Sequence, residues 1–303
     1  MKNTNNTFES EYRMRLIKKL LPLLLIMAML LSFVSCNGDE EEENNPNLFT
    51  VTVKNPFGKP LSDVTVYVHK DGEQDYNICT LPVSTNAQGK ASFTLDPANR
   101  YSVQLANLPP VYTSLSGYTP AERYHFDSND ITVTVDVNEG YVPDSYRIGD
   151  PMANFALTDI DGNTYELFEI LKEKKVVILN FWFYNCGPCA AEFPALNAAY
   201  KKYSDVAEVV AVNDHYNENE SHVEGYESYR GFTLDMPLFK TEYGSDVSLS
   251  RFPAGAYPTT VVIDRYGMIS LIHTGAVTSV SEWEDLLKYY TSDSYNGVEY
   301  DGF

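Results

Sequence analysis

A chain of 303 residues, 44% hydrophobic and 21% charged, has material for about two packed domains. Its formal charge of −20, with no cluster of Lys or Arg beyond the first 20 residues, excludes nucleic acid as a partner, because phosphate contacts require concentrated positive charge. Four cysteines stand in three settings: Cys36 closes an apolar run, Cys79 is alone, and Cys186 and Cys189 are separated by two residues.

Arg15, Lys18 and Lys19 precede the apolar run Leu20 to Val34, which exits through Ser35-Cys36-Asn37-Gly38. A charged start, a short apolar run and a small-residue exit predict an export signal over residues 1–35, since a membrane span needs about 20 apolar residues. Met1 to Tyr12 adds nothing to that signal, which leaves Met14 as an alternative start. Phe33-Val34-Ser35-Cys36 resembles a bacterial lipobox, which implies a lipoprotein whose acylated Cys36 anchors the mature chain to a membrane. By resemblance to lipoprotein sorting rules, Asn37 implies placement in the cell envelope at the outer membrane. Asp39 to Glu43 resembles an acidic surface-export signal and equally reads as a solvated tether over residues 36–47, because like charges repel. Periplasmic and surface-facing locations therefore both stay open. Loss of residues 1–35 leaves 17 basic and 40 acidic residues, a net charge of −23.

Residues 48–138 alternate apolar and polar positions without helical periodicity, at Phe49–Val53, Val64–Val68, Ala91–Leu95, Tyr101–Leu105 and Ile131–Val135. With turn signals at Asn55-Pro56-Phe57-Gly58 and Asn86-Ala87-Gln88-Gly89, this predicts a small antiparallel all-β sandwich. Gly58-Lys59-Pro60-Leu61-Ser62-Asp63-Val64 and Leu108-Pro109-Pro110-Val111-Tyr112 resemble Cna-B-like and carboxypeptidase-regulatory-like domains. The strand Tyr101–Leu105 holds no acid, so the isopeptide crosslink of Cna-B domains is not expected. Cys79, between Ile78 and Thr80, is expected inside or at the edge of the sandwich as a small buried hydrophobe. His69 and His125 have no partners at metal-ligand spacing and read as structural or surface residues.

After a linker at 139–146, residues 147–303 change to alternating strand and helix patterns, the mark of an α/β domain. Val176 to Trp182 is a near-continuous apolar run, as in a central strand buried on both faces, and it delivers the chain to Cys186. Behind Cys189, Ala190 to Tyr203 carries Phe193, Leu196 and Tyr200 at helical spacing. A strand, a turn and a helix N-terminus put Cys186 where unpaired N–H groups and the helix dipole favour a thiolate. Cys186 is then the nucleophile, and Cys189, one turn on, resolves the mixed disulfide. A structural zinc site needs about four ligands, and the two remaining cysteines fall in other segments.

Asn180-Phe181-Trp182-Phe183-Tyr184-Asn185-Cys186-Gly187-Pro188-Cys189-Ala190-Ala191-Glu192-Phe193-Pro194-Ala195-Leu196 resembles the TlpA/ResA-type thioredoxin family. The likeness extends through the redoxin-type segment Gly149–Gly162 and the segment Ala256–Gly267. It implies a thioredoxin-like α/β fold, a redox-active pair supported by Trp182, Gly187 and Pro188, and a cis bond at Tyr257-Pro258 facing that pair, where a substrate strand docks. Three residues depart from the pattern: Asn180 replaces the buried Asp of thioredoxin, Asn185 replaces a Trp that offers a flat docking surface, and Ala190 replaces a frequent basic neighbour. Glu192 reads either as an aid to deprotonation or as an acid favoured electrostatically in the first helical turn. His215 and His222 fall in a polar stretch expected as a solvated loop.

The leading expectation is thiol-disulfide exchange with extracytoplasmic protein thiols or disulfides, without a cofactor. The resemblance implies a reductase fed by a membrane electron donor that the sequence does not name. The Pro-x-x-x-Thr-x-x-Cys arrangement of peroxiredoxins is absent. The alternative is a surface lipoprotein whose sandwich binds a partner or glycan, with redox activity secondary.

Overall fold

The computed structural model describes residues 45–72, 78–297 and 300–302; the segments expected as an export signal and, for the most part, as an acidic tether lie outside them, as does Cys36. The chain enters the first layer through β1 (Leu48–Lys54), followed by β2 (Thr65–Lys70), β3 (Val83–Ser84), β4 (Lys90–Thr94), β5 (Tyr101–Ala106), β6 (Tyr112–Thr113), β7 (Tyr124–His125), β8 (Asp130–Thr134) and β9 (Asp136–Val137). Alternation along these strands points one side chain in two inward, so Phe49, Val51 and Val53 of β1 meet Val66 and Val68 of β2 and Val103 and Leu105 of β5 in one core. A sheet ordered β4-β1-β8 and a sheet ordered β3-β2-β5-β7 supply its two walls. Gly89 leads into β4 at φ +71°, and a Cβ there would lie 2.5 Å from the carbonyl oxygen of Val53, so only glycine lets the turn close on β1.

Two expectations need correction here. The sandwich is not antiparallel throughout, because β8 pairs with β1 in parallel from Thr50 against Asp130 to Lys54 against Thr134. The second sheet intervenes between these strands, which supplies the long crossover that a parallel pair requires. Cys79 is exposed rather than buried. Its backbone N–H donates to Val68 O at 2.9 Å and Ile78 forms an isolated bridge with His69, so this segment runs along β2 beyond the two residues that pair with β3.

The second half contains β10 (Ala156–Thr158), β11 (Thr164–Glu166), α1 (Leu167–Glu173), β12 (Val176–Trp182), α2 (Gly187–Tyr203), β13 (Ala207–Asn213), α3 (Glu220–Glu224), α4 (Tyr226–Arg230), β14 (Leu238–Lys240), β15 (Thr259–Asp264), β16 (Ile269–Thr274) and α5 (Val280–Thr291). Its sheet is ordered β14-β13-β12-β15-β16, with β13 parallel to the central β12 and β15 antiparallel to it. Every residue of β12 is buried, and the strand period divides them between two layers. Val176, Ile178 and Trp182 pack with Phe193 and Leu196 of α2 and Trp283, Leu286 and Leu287 of α5. Val177, Leu179 and Phe181 face Leu167, Phe168 and Leu171 of α1. The chain is thus an α/β thioredoxin-like domain preceded by an all-β sandwich.

The polar stretch around the two histidines is not simply a solvated loop. Asn219 and His222 form a reciprocal cap on α3, and His215 is half-buried and stacked on Phe183. Asn47–Phe303 forms one compact unit. Tyr146, at the end of the connecting segment, is buried and stacks on Phe252 at 5.2 Å. The fully buried Asn55 clasps the two halves: its Nδ2 donates to Tyr112 Oη at 3.0 Å and to Tyr266 O at 2.7 Å, while Oδ1 accepts from the N–H groups of Phe57 and Lys59. Tyr266 follows the C-terminal end of β15, so the sandwich docks at the sheet end remote from Pro258.

Candidate functional site

β12 ends at Trp182, and Cys186 is the N-cap of α2. Cys186 and Cys189 are joined in a disulfide with their Cα atoms 5.2 Å apart. Cys186 Sγ accepts the Cys189 N–H at 3.1 Å, so the first turn already aims a backbone donor at the sulfur that would carry the thiolate charge. Both residues are nearly sealed, Cys189 fully and Cys186 at 2% exposure, so the difference in burial between them is slight. Gly187 and Pro188 occupy the next two positions and are exposed. Proline costs nothing there, because a first-turn N–H has no helical acceptor. Trp182, fully buried, packs edge-on to Phe193 at 5.4 Å and closes the floor behind the pair.

Glu192 is turned into the core rather than toward the helix end. Its Oε2 accepts from Asn180 Nδ2 at 2.9 Å and its Oε1 from the Val277 N–H at 3.0 Å. Burial drives its pKa from 4.5 to about 7 against the opposing pull of those two hydrogen bonds. Asn180 also donates to Thr260 Oγ1 at 3.2 Å, and its Oδ1 accepts no hydrogen bond among the described residues. Glu192 stands on α2 three residues beyond Cys189, a spacing that makes helix neighbours.

Tyr257-Pro258 is a cis peptide bond. Thr259 pairs with Phe181, which brings Pro258 to the end of the sheet from which β12 runs to Cys186. The Tyr257 hydroxyl donates to Asp214 Oδ1 at 2.8 Å. Asp214 is fully buried, and its Oδ2 accepts from Ser248 Oγ at 2.8 Å and from the Leu249 N–H at 2.7 Å. Burial, followed by this carboxylate, holds the Tyr257 phenol above its ordinary range.

Asn185 is exposed and offers no flat surface, but its neighbours do. Tyr184 stacks on Tyr229 at 4.4 Å, and Phe183 stacks on His215 at 5.1 Å and meets Tyr257 edge-on at 5.4 Å. The Tyr184 N–H is held by Glu218 Oε2 at 2.8 Å. Asp214, Glu218, Tyr229 and Arg230 were not singled out from the sequence. They reach the site from segments whose only local signal is polarity. Cys36 lies outside the described residues.

The sequence profile of the AhpC/TSA family matches residues 148–272. The thiol-disulfide oxidoreductase ResA of Halalkalibacterium halodurans is 34% identical over 145 residues, which cover 47% of this chain and 78% of that protein. The thioredoxin-like protein YneN of Bacillus subtilis is 33% identical over 131 residues, 43% of this chain and 73% of that protein. Among solved structures, the exposed lipoprotein thioredoxin of Streptococcus pneumoniae strain TIGR4 is 28% identical, with 45% of this chain and 98% of that chain covered at a TM-score of 0.38. On the length and identity shared with the ResA protein, the chain belongs to the thioredoxin/ResA-like redoxin family.

Proposed function

We propose that this protein is an extracytoplasmic thiol-disulfide oxidoreductase that reduces disulfides in other proteins through Cys186 and Cys189. The observation that carries this reading is the Cys186–Cys189 disulfide at the N-cap of α2, the helix that also buries the Glu192 carboxyl three residues beyond Cys189. In the reduced protein the Cys186 thiolate attacks one sulfur of a substrate disulfide. That S–S bond breaks, a mixed disulfide forms, and the departing substrate thiolate takes up a proton. Cys189 then loses its proton to Glu192 and attacks the Cys186 sulfur. The bond from Cys186 to the substrate breaks, the second substrate thiolate leaves with the proton returned by Glu192, and the disulfide seen here closes. Two electrons and two protons pass to the substrate in each turn. A dithiol donor of the membrane returns them to the enzyme, because an exported disulfide has no cytoplasmic reductant at hand. Tyr257 and Pro258 form the ledge beside which the substrate segment lies.

Export by residues 1–35 and acylation of Cys36 would hold the enzyme in the cell envelope at the outer membrane. The sandwich would be a Cna-B-like or carboxypeptidase-regulatory-like module between anchor and enzyme. Expression of a Cys189→Ser variant in an exporting host tests the activity. Cys186 should accumulate mixed disulfides with exported proteins, identifiable by mass spectrometry. Absence of both trapped partners and insulin reduction by the unsubstituted protein defeats the proposal.

A further inference from the structure

Ala190 leaves the cysteine pair without the basic neighbour expected next to it in sequence, yet a cation reaches Cys186 from elsewhere in the fold. Arg230 is the last residue of α4, and its Nη2 donates to Tyr184 O at 2.7 Å and to Cys186 O at 3.3 Å. The guanidinium lies over the rings of Tyr229, 4.9 Å from the centroid, and Tyr226, 5.5 Å from the centroid. Tyr184 in turn stacks on Tyr229, so one planar cation is fixed between two aromatic faces and the backbone that leads into Cys186.

Among the described residues no carboxylate forms an ion pair with Arg230. Its Nε is buried and makes no hydrogen bond among them. A positive charge is therefore held at the nucleophile without a carboxylate paired to it among the described residues. We propose that Arg230 is a positioning residue for the exchange reaction: it stabilises the Cys186 thiolate electrostatically and pins the Tyr184–Cys186 turn. This inference rests on Cys186 being the attacking thiol.

Other groups that bear on this charge are the phenols of Tyr226, Tyr229 and Tyr184, the imidazole of His222 against Tyr184, and the Glu218 carboxylate that holds the Tyr184 N–H. Glu218 opposes the effect, since a nearby anion raises a thiol pKa, and it would act unopposed once Arg230 is neutral. The guanidinium is hydrogen-bonded to the carbonyl of Cys186 itself, and one unit charge that near a thiolate, at an intermediate effective dielectric, gives about one pH unit.

The test uses the reduced full-length chain carrying Cys189→Ser, with Arg230 intact or replaced by Gln, Met or Lys. The rate of alkylation by iodoacetamide is followed against pH on the Cys186-containing peptide by mass spectrometry, with circular dichroism as the check on folding. Both neutral replacements, Arg230→Gln and Arg230→Met, should raise the midpoint by about one unit. Arg230→Lys, which keeps the charge but loses the planar fork, should move it by less than half as much. In the chain with both active-site cysteines, the neutral variants should shift the equilibrium with glutathione toward the disulfide by up to about tenfold. A midpoint that stays within about 0.2 unit in the neutral variants, or moves equally in Arg230→Lys, overturns the inference. Failure of substrate trapping with the expected titration would instead defeat the reductase reading and leave this one standing.

Discussion

Glu192→Gln separates stability from activity in one substitution. The Glu192 carboxyl has a pKa of about 7 in the folded protein against 4.5 when solvated, chiefly because burial penalises the charge. Between those values the folded state binds the proton and the unfolded state has released it, so stability falls as pH rises through this window. The cost is absent below about pH 4.5 and complete above about pH 7, where the shift corresponds to about 3 kcal/mol. Gln is nearly isosteric and stays neutral. Its Oε1 can still accept the Val277 N–H, and its amide can donate to Asn180 Oδ1, which accepts no hydrogen bond among the described residues, once the Asn180 amide turns over.

Urea unfolding of the oxidised protein at a series of pH values between 4.5 and 8 reads this directly. The variant should match the parent at the acid end and exceed it by about 3 kcal/mol at pH 8. Taking the difference between the two proteins removes contributions from Asp264 and Glu208, whose pKa values burial also raises. Thiol-disulfide exchange should move the other way, slowing by about 100-fold or more at neutral pH as Cys189 loses its proton acceptor. A pH-independent stability difference would refute the burial argument. An unchanged exchange rate would refute the proton-transfer role.

Two further substitutions probe the framework of the site. Asn55→Ala leaves Tyr112 Oη and Tyr266 O facing a void between the two halves, and urea unfolding should register a loss of about 2–4 kcal/mol with exchange activity nearly unchanged. A loss under about 0.5 kcal/mol would show that the clasp is not a structural joint. Asp214→Ala strands the Tyr257 hydroxyl, Ser248 Oγ and the Leu249 N–H together, which should cost about 3 kcal/mol and raise KM for a protein disulfide more than it lowers kcat. A kcat effect without a KM effect would separate this anchor from substrate docking.

Much of the fold was legible locally. Strand alternation from Phe49 to Val135 and the apolar run Val176 to Trp182 depend on a two-residue period and on burial, which neighbouring residues specify by themselves. The disulfide pair was equally plain, because a strand, a turn and a helix start are consecutive in the chain. The parallel pairing of β1 with β8 was not legible, since alternation marks a strand but is blind to its partner's direction. Nor was the exposure of Cys79, expected inside or at the edge of the sandwich as a small buried hydrophobe and found exposed beside β2 with its thiol on Val68 O.

The lesson is sharpest at the site itself. By itself the sequence determined the redox-active cysteine pair, the helix that starts at Cys186 and the presence of Glu192, because these lie within one short segment. Only the tertiary structure decided what surrounds them. It turned Glu192 into the core against Asn180 and Val277, tied Tyr257 to Asp214, and brought Arg230 from 44 residues away to the carbonyl of Cys186. Proton affinity and thiolate stability depend on burial and on charges across space, and those exist only after β12, α2, α4 and the turn before β15 have packed together.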